Sequence, residues 1–131
     1  MKPLISIIIP VYNVENLLAR CLDSIVANLT LQCEILLVDD GSTDKSGEIC
    51  DDYASRYGLT VFHKPNGGLS DARNAGIAGA TGAYLYFADS DDTVAPTLVE
   101  DCLNAMREYD ADLVMFQFDT ISENNKPLLS N

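Results

Sequence analysis

The sequence predicts an α/β fold, with a doubly wound, mostly parallel sheet flanked by helices. Short runs rich in Ile, Leu and Val alternate with segments whose apolar residues recur at helical spacing, and a polar loop follows nearly every run. Strands that are apolar on both faces require helices on both sides of their sheet. At 131 residues, with 47% hydrophobic and 21% charged residues, the chain has the size and composition of one soluble domain.

The first strand and the first helix are predicted within residues 4–28. Residues 4–11 are apolar apart from Ser6 and Pro10, which predicts a buried strand. Asn13 is a residue type that caps helices, and it precedes a helix predicted over about residues 14–28. The apolar positions on one face of this helix are Leu17, Leu18, Cys21, Leu22 and Ile25.

A second unit of the same kind follows. Residues 34–38 predict a short strand, and residues 42–44 supply the hydroxyl and carboxylate groups that begin helices. The helix extends to about Tyr57, and Gly58 is expected to end it. Residues 60–63 then predict the third strand.

The second half of the chain continues the alternation. A glycine-containing loop over residues 64–69 leads into a short helix over about residues 70–80. Residues 83–88 predict the fourth strand, and Pro96 suits the first turn of a helix that reaches about residue 109. Residues 113–118 predict a fifth strand. We therefore expect a folded domain over residues 1–118 and a polar tail or cut edge over residues 119–131.

The charge of the chain limits its partners. A net charge of −12 and a pI near 4.1 argue against broad attraction to nucleic acid or to an anionic membrane. The apolar run at residues 4–11 is too short to cross a bilayer and lacks the pattern of a signal peptide. We expect a cytoplasmic protein, whose membrane association, at the inner face, would depend on regions outside this chain.

The cysteines and the single histidine suggest no nucleophilic machinery. The four cysteines are widely spaced without a C-x-x-C pair, which favours reduced thiols over a disulfide framework or zinc site. His63 is the only histidine, and we expect it to be packed or solvent-facing at a strand end.

The fourth strand ends in a cluster of acidic residues. Asp89, Asp91 and Asp92 fall within four positions of each other. Two carboxylates about 4 Å apart repel by roughly 4 kcal/mol at an effective dielectric near 20, so such a cluster favours a divalent cation. In an extended chain Asp89 and Asp91 face one side, while Ser90 and Asp92 face the other. The alternative is a polar turn whose acids cap the next helix.

Two other loops carry polar residues to the same sheet edge. Asp39 and Asp40 follow the second strand, and adjacent residues face opposite ways, so one of them is expected to face the cleft and the other to orient loop backbone. A carboxylate there can accept hydrogen bonds from a ribose hydroxyl or a base N–H. Gly67-Gly68 and Arg73 could meet phosphate at a helix start, although the loop matches neither nucleotide-binding glycine fingerprint. The alternatives are a helix-capping loop, an ordinary turn and a surface arginine.

The four motifs together carry a resemblance. The chain reads Ser6-Ile7-Ile8-Ile9-Pro10-Val11-Tyr12-Asn13, Val38-Asp39-Asp40-Gly41-Ser42-Thr43-Asp44, Gly67-Gly68-Leu69-Ser70-Asp71-Ala72-Arg73-Asn74-Ala75-Gly76 and Asp89-Ser90-Asp91-Asp92. In this order and spacing they resemble the family 2 glycosyltransferases over nearly all of residues 3–118. The resemblance implies the nucleotide-sugar-binding half of a GT-A fold, an inverting reaction on a nucleotide-diphosphate sugar, with UDP favoured, and Mn²⁺ or Mg²⁺ as cofactor. It also implies a saccharide or lipid-linked acceptor.

The family pattern assigns roles to individual positions. Pro10, Val11 and Tyr12 would surround the base, with Asp40 accepting its N–H. Asp91 would bind the metal on the diphosphate, with Asp89 on the ribose or metal side. The predicted substrate-binding residues are Pro10, Val11, Tyr12, Asp39, Asp40, Asp71, Arg73, Asp89 and Ser90, and the predicted metal ligands are Asp91 and Asp89.

The family's general base has no counterpart in this sequence. The resemblance implies a carboxylate well downstream of the acidic cluster, and we expect it beyond Asn131, since Asp110, Asp112 and Asp119 match no acceptor loop. The 131 residues are therefore expected to bind a donor without efficient transfer. Two other classes share parts of the pattern, a signalling receiver domain and a metal-dependent nucleotidyltransferase. The former expects an acidic pair after the first strand, and the latter a glycine-rich basic loop there; Tyr12-Asn13 stands in that place.

Overall fold

The computed structural model describes residues 3–109 as four parallel strands and four helices in strict alternation. The strands are β1 Ile5–Val11, β2 Cys33–Asp39, β3 Thr60–His63 and β4 Tyr84–Phe87. The helices are α1 Leu18–Val26, α2 Ser46–Tyr57, α3 Leu69–Gly79 and α4 Leu98–Tyr109. Residues up to Glu100 form one compact unit, which contains every predicted site residue, and the residues from Asp101 onward belong to a second. The predicted fifth strand and polar tail lie outside the described residues.

The sheet has the order β3-β2-β1-β4, and every neighbouring pair is parallel. Register places Val11 beside Asp39, and Asp39 beside His63. The carboxyl ends of the strands therefore meet at one edge, where ligands bind in open α/β sheets. This confirms the predicted fold class.

Helices cover both faces of the sheet. The chain moves from β1 to β3 in one direction across the sheet and returns to β4, so right-handed connections put α1 and α2 on one face and α3 on the other. Where α3 packs on the sheet, its Ala72 forms a buried cluster with Ile8 and Val38. A Cβ at Gly76 would overlap the Ile8 side chain, which shows how closely the backbone of α3 lies on the sheet.

The start of α1 differs from the prediction. The structure begins α1 at Leu18, and Asn13 does not cap it. Asn13 instead has a φ of 50° and accepts hydrogen bonds from the N–H groups of Thr43 and Asp44, at 2.8 and 3.4 Å. The capping prediction was wrong because the side chain of Asn13 serves a loop that is remote in sequence. The ending of α2 is confirmed: Gly58 is left-handed, with φ 73°, and donates to the Ala54 carbonyl.

Strand β4 is less covered than its sequence predicts. Leu85 and Phe87 are 43% and 39% exposed, whereas an apolar run of this kind is expected to be buried on both faces. Among the described residues β4 pairs only with β1, so it is an edge strand there. Helix α4 also begins two residues after Pro96, at Leu98. None of the helices within residues 3–109 combines the length and apolar character needed to cross a membrane.

Candidate nucleotide and metal site

Asp39, the last residue of β2, and Asp40, which follows it, are both buried, and both accept hydrogen bonds from loop backbone. Asp39 accepts a hydrogen bond from the Ser42 N–H at 3.0 Å. Asp40 accepts from the N–H groups of Gly67 and Gly68, each at 2.9 Å. The sequence predicted that one member of the pair would orient loop backbone. In the structure both members accept hydrogen bonds from loop N–H groups.

A lysine completes the surroundings of Asp40. Lys64 Nζ lies 2.6 Å from Asp40 Oδ1 and also contacts the Asp71 carboxylate. Burial favours the neutral form of Asp40, but the hydrogen bonds from Lys64, Gly67 and Gly68 outweigh it and hold the pKa of Asp40 below its usual value. Because its pKa is lowered, Asp40 is ionised near neutrality, although only 4% of its side chain is exposed.

His63 joins Asp39 to helix α2. Its Nδ1 lies 2.8 Å from Asp39 Oδ2, and its Nε2 lies 2.7 Å from Asp51 Oδ1. The hydrogen bonds to Asp39 and Asp51 raise the pKa of His63. The expectation of a packed or solvent-facing histidine missed this bridge, although 46% of the side chain is exposed.

Arg73 lies beside the acidic cluster. Its Nη2 is 3.7 Å from Asp89 Oδ1, and its guanidinium carbon lies 5.9 Å from the centre of the Phe87 ring. Within the described residues its buried Nε–H has no hydrogen-bond partner. An unpaired buried donor costs about 1–3 kcal/mol, so this atom is consistent with an anion that binds beside it.

The acidic residues after β4 converge. Asp89, Asp91 and Asp92 each offer an oxygen within 4.8 Å of the other two. The prediction that Asp92 faces away from Asp91 was wrong, because the chain turns here: the Asp92 N–H donates to the Asp89 carbonyl at 3.1 Å. Partial burial, and then the charges of Asp91 and Asp89, raise the pKa of Asp92. Three exposed oxygen donors under mutual repulsion suit a hard divalent cation such as Mn²⁺ or Mg²⁺.

Helix α1 holds the backbone of this acidic turn. The Cys21 thiol donates to the Asp89 carbonyl at 3.5 Å, and Arg20 Nη2 donates to the Asp91 carbonyl at 3.4 Å. Farther along, Ser24 Oγ accepts the Val94 N–H at 3.0 Å. The carboxylates are thus presented by a loop that is fixed to a core helix, while their own oxygens remain exposed.

The remaining predicted residues reach the same edge. Pro10 and Val11 are buried at the end of β1, and Tyr12, directly after them, is exposed. Ser90 is buried, in contrast to the acids on either side of it. The structure therefore brings the ends of β1, β2 and β4 and the start of α3 to one edge. Sequence reasoning missed Lys64 and the bridging role of His63; a parallel register between β2 and β3 would have pointed to both.

The fold and its charged edge define an α/β protein of the class that binds ligands beyond the carboxyl ends of parallel strands. The chain belongs to glycosyl transferase family 2, whose family model matches residues 6–130. This confirms the predicted family and the GT-A type of fold, and it removes the receiver-domain and nucleotidyltransferase alternatives.

Named relatives support the same family. The chain is 44% identical over 115 residues to the uncharacterized glycosyltransferase EpsJ of Bacillus subtilis (strain 168), covering 87% of this chain and 33% of that protein. It is 42% identical over 120 residues to the glycosyltransferase GlyA of Streptococcus pneumoniae, covering 91% of this chain and 17% of that protein. The crystal structure of S. aureus TarS 1-349 in complex with UDP-GlcNAc superposes with a TM-score of 0.77 at 31% identity, covering 86% of this chain and 33% of that chain. The chain thus spans a third or less of each of these proteins.

Proposed function

We propose that this chain is the donor-binding portion of an inverting glycosyltransferase that uses a nucleotide-diphosphate sugar, with UDP as the favoured nucleotide. The convergence of Asp89, Asp91 and Asp92 beside Arg73 carries the proposal. The UDP-GlcNAc bound to TarS supports a nucleotide sugar as the donor. The acceptor would be a hydroxyl of a saccharide or lipid-linked molecule, and the full-length protein would act in the cytoplasm or at the inner face of the membrane.

The nucleoside would bind between the ends of β1 and β2. The exposed ring of Tyr12 offers a stacking surface for the base, with Pro10 and Val11 supporting it from β1. Asp40 would accept the base N–H. Its weakest present contact, Asn66 Nδ2 at 3.4 Å from Oδ2, is the one that such a donor would replace, while Lys64 and Gly68 hold the carboxylate in place.

The diphosphate would lie between Arg73 and the acidic turn. The Nε–H of Arg73, which has no hydrogen-bond partner within residues 3–109, would donate to a phosphate oxygen, and Asp71 would face the base and diphosphate from the same helix. Asp89 and Ser90 would contact the ribose side of the donor. Asp39 would act next to Asp40 by orienting the loop through Ser42.

Asp91 and Asp89 would hold Mn²⁺ or Mg²⁺, with Asp92 as a third ligand. When bound, the ion supplies charge neutralisation of the departing nucleoside diphosphate. A bound divalent cation would also explain how a chain with a net charge of −12 can bind an anion. The protein would have to keep the three carboxylates close together. Cys21 and Arg20 contribute to this by donating hydrogen bonds to the backbone carbonyls of the turn.

Calorimetry with UDP tests the donor site. We expect about tenfold tighter binding with Mn²⁺ than with EDTA, and we expect Asp91→Ala to abolish that difference. Glu48→Gln is the matched control, because Glu48 is an exposed acid on α2 away from the acidic turn. Binding that is independent of metal would contradict the metal assignment, and no binding of any nucleoside diphosphate would contradict the donor site.

The position of the general base is a separate proposal. We expect residues 1–131 to bind donor without efficient transfer, and we expect the native downstream sequence to restore transfer. The measurement is release of UDP from a UDP-sugar in the presence of acceptor, for both lengths of chain. Full turnover by residues 1–131 would contradict the downstream base.

A further inference from the structure

His63 is held between two carboxylates on different elements. Asp39, at the end of β2, faces one ring nitrogen at 2.8 Å, and Asp51, on α2, faces the other at 2.7 Å. A carboxylate only accepts hydrogen bonds, so both contacts are made when both ring nitrogens carry a proton. The geometry therefore selects the imidazolium form of His63.

Asp39 connects this histidine to the predicted nucleoside pocket. Its second oxygen accepts the Ser42 N–H at 3.0 Å, and Ser42 Oγ in turn accepts the Asn13 N–H at 3.1 Å. Asn13 holds an unusual φ of 50° directly after Tyr12. A continuous set of hydrogen bonds thus runs from His63 to the loop that carries the exposed tyrosine.

A glycine in helix α2 leaves space for the Asp39–His63 pair. A Cβ at Gly47 would lie 2.8 Å from Asp39 Oδ2 and 3.6 Å from His63 Cε1, so the absent side chain leaves room for the pair. Cys50, also on α2, is a further ionisable group close to Asp39 and Asp51; burial and then the charges of Asp39 and Asp51 raise its pKa to about 12, so it stays a neutral thiol. Lys64 follows His63 in sequence but pairs with Asp40 and Asp71.

We propose that His63, as an imidazolium bridging Asp39 and Asp51, is a positioning residue that keeps the Asp39–Ser42–Asn13 side of the nucleotide pocket in its binding arrangement. The proposal rests on the proposed function, because it assumes that the nucleoside binds at this edge. It makes donor affinity depend on the protonation of a residue that does not itself contact the donor.

The sign of the pH dependence follows from the hydrogen bonds. Neutral imidazole has one N–H, so deprotonation removes one of the two bonds and sets a lone pair against a carboxylate. The bonds to Asp39 and Asp51 raise the pKa of His63 above its ordinary 6.5. The pocket is therefore organised below the raised value, and donor affinity falls as the pH rises through it.

The experiment measures affinity and protonation on the same protein. UDP-N-acetylglucosamine is the probe, because its diphosphate does not titrate near neutrality, and calorimetry with Mg²⁺ covers about pH 6 to about pH 9. His63 is the only histidine, so its ring protons report its titration in an NMR spectrum without assignment. We expect an affinity loss of about tenfold, with a midpoint within about one pH unit of the NMR midpoint, because a tenfold effect corresponds to about one unit of difference in pKa between free and bound protein.

Three variants separate positioning from general stability. His63→Gln is expected to bind more weakly at low pH and to lose the pH dependence. Asp51→Asn removes one partner and should move both midpoints to lower pH. Asp52→Asn is the matched control: Asp52 is equally exposed on the same helix but pairs with Arg56, and it should leave both midpoints unchanged.

The possible results are distinguishable. Normal donor binding by the parent with a flat pH profile, or a profile that His63→Gln retains, would overturn the positioning role and leave the proposed function intact. No binding of the probe by the parent at any pH would overturn the donor site and this proposal with it. Affinity and NMR midpoints that lie within about one pH unit of each other and shift together in Asp51→Asn alone would support the role.

Discussion

Lys64 Nζ lies 2.6 Å from Asp40 Oδ1, at the point where β2 and β3 end side by side. The lysine is 18% and the aspartate 4% exposed, so the pair is sheltered from solvent. One residue earlier in each strand, His63 pairs with Asp39. Two adjacent acids thus meet two adjacent bases across a parallel strand pair, and together they hold the loops of the predicted nucleoside pocket.

Removal of the lysine should destabilise the fold. Lys64→Met leaves the Asp40 carboxylate buried without its cation, and we expect the free energy of unfolding to fall by about 1–3 kcal/mol, measured by urea denaturation. Lys45→Met is the control, since Lys45 is exposed at the start of α2. Equal losses in the two variants would contradict a specific role for the Lys64–Asp40 pair.

The contribution of Asp40 should depend on pH. Because its pKa is lower in the folded protein than the ordinary 3.8, its charge stabilises the fold above the unfolded value, and this stabilisation is lost as the pH falls through the folded value. Asp40→Asn should therefore cost most near neutrality and progressively less in acid, in urea denaturation at a series of pH values. A cost that stays constant with pH would argue against an ionised Asp40.

The acidic turn should be strained without metal. Partial burial and the charges of Asp91 and Asp89 disfavour ionised Asp92, so Asp92→Asn should raise the melting temperature in EDTA. The same variant should show a smaller rise in melting temperature on adding Mn²⁺, because one of the three ligands is weakened. Thermal melts of the parent, Asp92→Asn and Glu48→Gln provide the test, and an unchanged response to Mn²⁺ would exclude Asp92 as a ligand.

A glycine in α3 should resist replacement. Alanine usually stabilises a helix relative to glycine by about 1 kcal/mol, but at Gly76 its Cβ would overlap Ile8, so Gly76→Ala should instead destabilise by about 1–3 kcal/mol. Asn74→Ala, at an exposed position of the same helix, should be neutral or slightly stabilising. Urea denaturation of both variants decides, and a gain in stability for Gly76→Ala would contradict the close approach of α3 to the sheet.

The thiols should be inert in the folded protein. All four cysteines are free and buried. Burial, followed by the charges of Asp92, Asp91 and Asp89, raises the pKa of Cys21 to about 12, and a thiol of this kind holds almost no thiolate near neutrality. We expect iodoacetamide to label none of the four in native buffer and all four in urea, as counted by mass spectrometry. Rapid labelling of native Cys21 would contradict its packing under the acidic turn.

Much of the fold could be predicted from local pattern. Strand β3 spans Thr60–His63 as predicted, and α3 differs from its prediction by one residue at each end, because apolar runs and helical spacing report burial directly. The start of α1 could not be predicted this way. Asn13 has the chemistry of a helix cap, but its amide oxygen accepts hydrogen bonds from a loop 30 residues away, at Thr43.

Most residues of the candidate site could be predicted from the sequence, but the contacts between their side chains could not. Asp89 and Asp91 were identified as a cation site, but strand alternation assigned Asp92 to the wrong side, since alternation ends where the chain turns. The residues around His63 and Lys64 in the sequence do not indicate which acids these two side chains contact. Their importance depends on β3 lying beside β2 in a register that sets His63 next to Asp39.

The sequence by itself determined the order of strands and helices, the four motifs and, through them, the family. These features depend on residue types at short spacing, which a linear chain displays directly. Only the tertiary structure decided which charges neutralise one another: Lys64 with Asp40, His63 with Asp39 and Asp51, and Arg73 beside Asp89. Such pairs join segments far apart in the chain, and their contact energies depend on distance and burial, which the order and register of the sheet establish.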